Sequence, residues 1–399
     1  MPPLWLLSLF YTFYLGALGA AVPFMGAHMR ALGLSGWELG LLFTLPPLGR
    51  LLVAPPLAAL ADRYQRAGSL IRAGTAVSAL GAVALWAATG PVSAGLALAL
   101  LFTGRTAPSP ALDALVLDTL RAKGFGVERY GRVRLWGSVG FMAAAALAAW
   151  LEAPMALGAL LASWVAVLAW TLPARAAPRP LPVWPALARL AHDPVLGPFL
   201  LCFGLQGMAL SVYDAFFSVH VAALGLPVGV TAGAILLGVM AEILVMALAQ
   251  RIFSRIAPAD VLGLAVLVSV PRWLLTAWSA DPWVLAGVQA LHGLSFGGFW
   301  IAGVQLMSQR APREVATAAQ SLLVAAAYGI GALGGAMLAG ALDEAAGTAA
   351  IFYGMAAVSC SAALVWIRFR RRLSAERTGE GTGAPAQVSA AVAPGRGRG

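Results

Sequence analysis

Twelve times along the chain, an apolar run about 20 residues long is followed by a short link. The runs fall near 4–29, 37–60, 69–90, 94–119, 132–151, 154–173, 194–221, 228–250, 259–279, 283–309, 314–341 and 347–368. About 20 apolar residues in a helix cross a hydrocarbon core of roughly 30 Å. A backbone in lipid must satisfy its own hydrogen bonds, so only helices or closed barrels can span. Barrel strands alternate in hydrophobicity and these runs do not, so the chain is read as an all-α integral membrane protein with twelve spans. Hydrophobic residues make up 60% of the 399 and charged residues only 11%, too few charges to cover a water-soluble surface. A soluble enzyme, a disordered protein and a nucleic-acid binder are thereby excluded. The first run has no Lys or Arg before Arg30 and reads as a retained span rather than a cleaved leader.

The net charge of +10 is placed asymmetrically. Arginines crowd the even-numbered links (Arg63 and Arg66, Arg132 and Arg134, Arg175 and Arg179, Arg251 and Arg255, Arg310 and Arg313), and the tail opens with Arg368 and Arg370. The odd-numbered links hold only Arg30. Positive charge stays cytoplasmic, so both termini are expected on the cytoplasmic side of an inner membrane. The chain divides into a six-helix bundle over 1–173, a cytoplasmic connector over 174–191 and a second six-helix bundle over 192–369. A disordered tail is expected over 370–399. A constant offset of 192 residues lays Gly33-Leu34 on Gly225-Leu226 and Arg63 on Arg255, as two pseudo-repeats would. Parallel six-span halves place a site near the midplane between them.

Several short motifs sharpen this reading. Asp62-Arg63 after span two resembles the loop motif of the major facilitator superfamily, with Ala58 where its glycine usually stands. The run Tyr130-Gly131-Arg132-Val133-Arg134-Leu135-Trp136-Gly137-Ser138-Val139-Gly140-Phe141 is similar to a signature of that superfamily's phenylpropionate-permease-like branch. Pro271-Arg272-Trp273, Leu291-His292-Gly293 with Ser295-Phe296, and Gln320 agree with it. The branch is related to lactose-permease-like proton symporters. The resemblance covers about residues 4–370 and implies the major facilitator fold and secondary active transport. Span five lacks the proline of the superfamily's drug–proton antiporters.

Ionisable residues inside the spans carry the functional reading. A charge at the bilayer centre costs about 2.5–3.5 kcal/mol on insertion scales, so Arg50, Arg105, Asp113, Asp214, Glu242, Arg272 and His292 must face a polar cavity or pair with one another. Asp214, Glu242, Arg272 and His292 sit on four successive spans. Their order resembles the acid, acid, arginine, histidine array of lactose-permease-like symporters, with Ser295 where those carry a further acid. That resemblance implies a proton-coupling role for the four, with Glu242 as the carrier. The competing reading is a static Glu242–Arg272 brace. Arg50 and Arg105 suit a bidentate grip on a carboxylate, unless Arg50 pairs with Glu242 or Asp113 across the cavity. Gln289, His292, Ser295, Phe296 and Phe299 fall at helical spacing and read as one cavity-facing stripe. Tyr14, Tyr213, Gln289 and Phe296 join the two arginines as expected substrate contacts. Asp62, Arg63, Asp118, Arg132 and Arg134 are expected at the cytoplasmic gate, with Asp118 paired to Arg132 or Arg134.

Neither a phosphate-binding loop with Lys nor Cys/His spacing for a metal is present, and no nucleophile–base set stands out. Cys202 and Cys360 lie in apolar runs and indicate no disulfide. The expectation is a monomeric, cofactor-free carrier, not an enzyme, that moves a small organic solute with protons: a monocarboxylate with an aromatic or aliphatic body, a sugar or a nucleoside. Export by proton antiport and a non-transporting sensor are the alternatives.

Overall fold

A computed structural model describes residues 2–53, 57, 67–106, 108–125, 130–172, 195–310 and 316–378. Among them there is no strand. Nine helices among the described residues are long and apolar enough to cross a membrane: Leu4–Ala31, Gly68–Trp86, Arg132–Trp150, Leu196–Ala223, Val228–Ala247, Pro258–Trp278, Pro282–Arg310, Ala319–Ala346 and Thr348–Ser374. They carry spans one, three, five and seven to twelve. Span six is the shorter apolar helix Pro154–Ala169. Span four is made of Pro91–Thr106 and Pro108–Ala122.

Span two is broken. It enters as Gly36–Leu42, where Ser35 and Glu38 form a capping box, and resumes as Leu45–Leu48. Pro46 and Pro47 have no N–H to donate, so the regular ladder fails there. The helix then widens into a π-helical turn, Gly49–Val53. Two more spans are irregular at mid-depth. Span ten passes through a tight 3₁₀ turn, Val288–Leu291, and a π turn, Gly293–Gly298. Span eleven holds the π turn Ala325–Gly331. Single π turns gather at functional sites, and these three carry or adjoin Arg50, His292 and Tyr328.

Small residues let the helices touch. A Cβ on Gly19 would lie 2.1 Å from the Phe141 carbonyl oxygen, and one on Gly140 would lie 2.1 Å from that of Thr12. Spans one and five therefore approach backbone to backbone, the close packing that stands in for a hydrophobic drive in lipid. Span one also packs on span six, and span seven packs on spans eleven and twelve. The halves meet through spans one and seven, two and eleven, and five and eight. A two-fold relation between six-span halves exchanges the last two pairs.

The halves are tied together around the links that follow spans one and eleven. Gly40 and Gly340 meet there, each too close to the other's backbone to admit a side chain. Arg30 pairs with Asp343, whose side chain is only 4% exposed. The Trp37 amide donates to Glu344 Oε2 at 3.3 Å, and Phe43 packs on Phe216 at 5.8 Å.

The last helix runs on to Thr378, so residues 370–378, expected in a disordered tail, are helical. Phe369 and Leu373, one turn apart, are buried. Arg370 grips Asp260 with two bonds of 2.6 and 3.1 Å at the start of span nine. The connector 174–191 and the rest of the tail lie outside the described residues.

Candidate substrate cavity

Between the halves lies a cavity of about 1060 Å³. Span one contributes Tyr14, span two Arg50, span four Arg105 and Asp113, and span five Arg134 and Phe141. The opposite wall carries Tyr213 and Asp214 of span seven, His292 and Trp300 of span ten, and Tyr328 of span eleven. Of the expected substrate contacts, Arg50, Arg105, Tyr14 and Tyr213 therefore face one common space.

Each cavity arginine lies over a tyrosine ring. The Arg50 guanidinium carbon is 5.2 Å from the Tyr328 ring centre, across the two halves. Arg105 is 4.5 Å from Tyr14, and Arg134 is 5.4 Å from Tyr11. A ring face attracts a cation without neutralising it. Among the described residues neither Arg50 nor Arg105 has a carboxylate within 4.0 Å. The alternative pairing of Arg50 with Glu242 or Asp113 is thus absent from this conformation. Asp113 instead accepts hydrogen bonds from the hydroxyls of Tyr11 and Tyr130, the latter at 2.9 Å.

In the second half the charged array is arranged differently from a simple ion-pair ladder. Glu242 Oε2 lies 3.7 Å from His292 Nε2, so these two form the close pair. Arg272 is fully buried and meets no carboxylate within 4.0 Å among the described residues. Its Nε and Nη2 donate to Gln289 Oε1 at 3.0 and 2.8 Å, and Nη1 donates to Ser295 Oγ at 3.0 Å. Its guanidinium also lies 4.7 Å from the Tyr213 ring and 4.2 Å from that of Trp273. A Glu242–Arg272 brace is therefore not what holds these helices here. The reason is steric and local: Gln289, one helix over, fills the acceptor position.

Gln289 is consequently a correction. It is buried, its Nε2 donating to Thr276 Oγ1 and the Leu285 carbonyl, both at 3.2 Å, and it does not line the cavity. Phe296 is a second. Its ring stacks on His292 at 4.9 Å, supporting that imidazole from behind rather than facing the cavity. Glu242 and Arg272 also stand behind the lining residues.

Tyr213, Asp214 and His292, the last at its Nδ1, are lining residues with polar atoms that have no hydrogen-bond partner among the described residues. The Tyr213 hydroxyl is buried and has no hydrogen-bond partner. Asp214 is open to the cavity and has neither hydrogen bond nor ion pair among the described residues, with Arg272 and Arg50 in Coulombic reach of it. Of the expected gate residues, Arg134 reaches the cavity wall and Arg132 is exposed. Only the backbone of Asp118 is described, and Asp62 and Arg63 lie outside the described residues. The sequence reading passed over Tyr328 and Trp300. A lone tyrosine in the glycine-rich stretch of span eleven was the available signal.

The profile of the MFS_1 like family matches residues 4–354. The chain is 29% identical over 339 residues to a maltose permease of Geobacillus stearothermophilus, covering 81% of this chain and 84% of that protein. It is also 29% identical over 347 residues to a probable 3-phenylpropionic acid transporter of Escherichia coli strain K12, covering 83% and 87%. In fold it is similar to the crystal structure of the nucleoside transporter NupG. The TM-score is 0.82 at 16% identity, over 93% of this chain and 100% of that one.

Proposed function

Because the chain belongs to the MFS_1 like family, we propose that it carries a small organic acid across the cytoplasmic membrane together with protons. The family is one of membrane transporters of small solutes, not of enzymes, and the two relatives are named for maltose and 3-phenylpropionic acid. The observation that carries the finer reading is a pair of guanidinium groups, Arg50 and Arg105, facing one cavity without a carboxylate within 4.0 Å. A guanidinium stays charged and presents a fork that matches a carboxylate bidentately. Tyr14, Phe141, Trp300 and Tyr328 offer rings to an aromatic or aliphatic body.

Proton coupling is assigned to Glu242 and His292. Glu242 lies within Coulombic reach of Arg134, which belongs to the other half. A charged Glu242 attracts that arginine and a protonated one releases it, so the proton biases how the halves close. Arg272, held by neutral partners just behind Tyr213, adds a fixed positive charge to this wall. The protein works as a monomer of the inner membrane, with both termini in the cytoplasm and no cofactor beyond the proton gradient.

The test is uptake into proteoliposomes. Glu242→Gln mimics the protonated state. It is expected to keep counterflow exchange, which does not require the proton to leave, and to lose accumulation against a gradient. Accumulation by Glu242→Gln under a pH gradient would remove Glu242 as the carrier. Lysine at position 50 or 105 keeps the charge but loses the fork, and weaker binding of the acid is expected. A tightly bound neutral sugar indifferent to both changes would reject the organic-acid reading.

A further inference from the structure

The two walls of the cavity are unlike in charge. The first-half wall presents Arg50 and Arg105, cations lacking a carboxylate within 4.0 Å. The second-half wall presents Asp214, an anion lacking a cation within that distance among the described residues. The other cavity carboxylate, Asp113, is already engaged by two tyrosine hydroxyls. Arg272 lies in the same half, within Coulombic reach of Asp214, but its N–H groups donate to Gln289 and Ser295 and it makes no direct ion pair with that carboxylate.

A plain carboxylate would fill only one side of this arrangement. Bound to the arginines, it would bring its apolar body over Asp214 and strip water from an unpaired anion. Removing a charge from water without a partner is costly. It would also place a second negative charge near the first. A ligand with an amine as well would meet the anion with a cation.

We infer that the cavity takes a zwitterionic substrate, an organic acid that also carries an ammonium group, with Asp214 holding the ammonium. This rests on the cavity being a carboxylate site. It assigns Asp214 to the substrate rather than to the proton.

Three probes separate the possibilities by calorimetry on the purified full-length protein: 3-phenylpropionate, L-phenylalanine and 3-(4-aminomethylphenyl)propionate. They share a ring and a carboxylate, and the last two add an ammonium at the near or the far end. One of the two ammonium acids is expected to bind about tenfold more tightly than 3-phenylpropionate. Asp214→Asn should erase that advantage by weakening the ammonium acid, while 3-phenylpropionate binds no less tightly than before, its desolvation and repulsion penalty being relieved. An Asp214→Glu variant, which keeps the charge, should retain part of the advantage. The ligand-free unfolding temperature of each variant establishes that it is folded. If 3-phenylpropionate binds as well as both ammonium acids, or if the advantage survives Asp214→Asn, the zwitterion inference is overturned and the carboxylate reading stands. If none of the three binds, both are overturned.

Discussion

Gly40 and Gly340 close one end of the interface between the halves, and adding one methyl group there should pry that end open. An ideal Cβ on Gly40 lies 2.8 Å from both the Ala336 carbonyl oxygen and the Gly340 Cα. Ordinary contact begins near 3.4 Å, so the overlap is 3.4 − 2.8 = 0.6 Å. Both obstructing atoms are backbone, and no rotamer change relieves them. Overpacking of this kind costs about 1–3 kcal/mol. The strain falls between two bodies that separate, so parting them relieves it. A bias of that size shifts a two-state equilibrium by about 5- to 150-fold. Gly40→Ala should therefore raise the population in which this end is open. The reporter is Ser218→Cys in a Cys360→Ser background. Ser218 is 3% exposed, and its Oγ accepts from the Ala27 amide of the other half at 3.3 Å. Cys202 is buried and stays silent. A membrane-impermeant maleimide should label the introduced thiol at least several-fold faster in the Gly40→Ala protein. Gly229→Ala is the control, since a Cβ there meets nothing within 4 Å. Unchanged labelling in a protein that still unfolds cooperatively would refute the wedge argument. Gly340→Ala should act similarly. The double change should cost less than the sum, because one separation relieves both.

The nearby Arg30–Asp343 pair should respond asymmetrically to truncation. Arg30→Met leaves a carboxylate that is 4% exposed without a partner and should open the same end measurably; Asp343→Asn leaves an arginine that is 37% exposed and can hydrate, and should do less. Equal labelling of the same reporter thiol in the two variants would contradict this. In the second half, Gln289→Leu removes the acceptor of two Arg272 donors inside a sealed site. Orphaned buried donors to a charged group cost about 1–3 kcal/mol or more, so the unfolding temperature should fall. Gln289→Glu should recover only part of it, since it supplies a counter-ion to Arg272 but sets an oxygen against the Leu285 carbonyl that Gln289 Nε2 now donates to.

The spans were legible in the sequence because crossing a bilayer is a property of local length and hydrophobicity, and each run carries that information alone. The presence of charges inside them was legible for the same reason. Arg50, Arg105, Tyr14 and Tyr213 could be expected at a cavity because each is too polar or too charged to face lipid. Which groups would touch was a different matter. Several of these helices are apolar all round, so no amphipathic stripe marks an inner face. Span ten shows the consequence. At about 100° per residue, Gln289, His292, Ser295 and Phe296 share one side of a regular helix. The chain instead tightens at Val288–Leu291 and widens at Gly293–Gly298, which changes the phase between them. Gln289 and Ser295 turn to Arg272, Phe296 backs His292, and His292 alone reaches the cavity. Likewise, nothing in residue order distinguishes Glu242 paired with Arg272 from Glu242 paired with His292. That choice belongs to packing between spans eight, nine and ten, where an uncharged glutamine occupies the site a carboxylate could have taken.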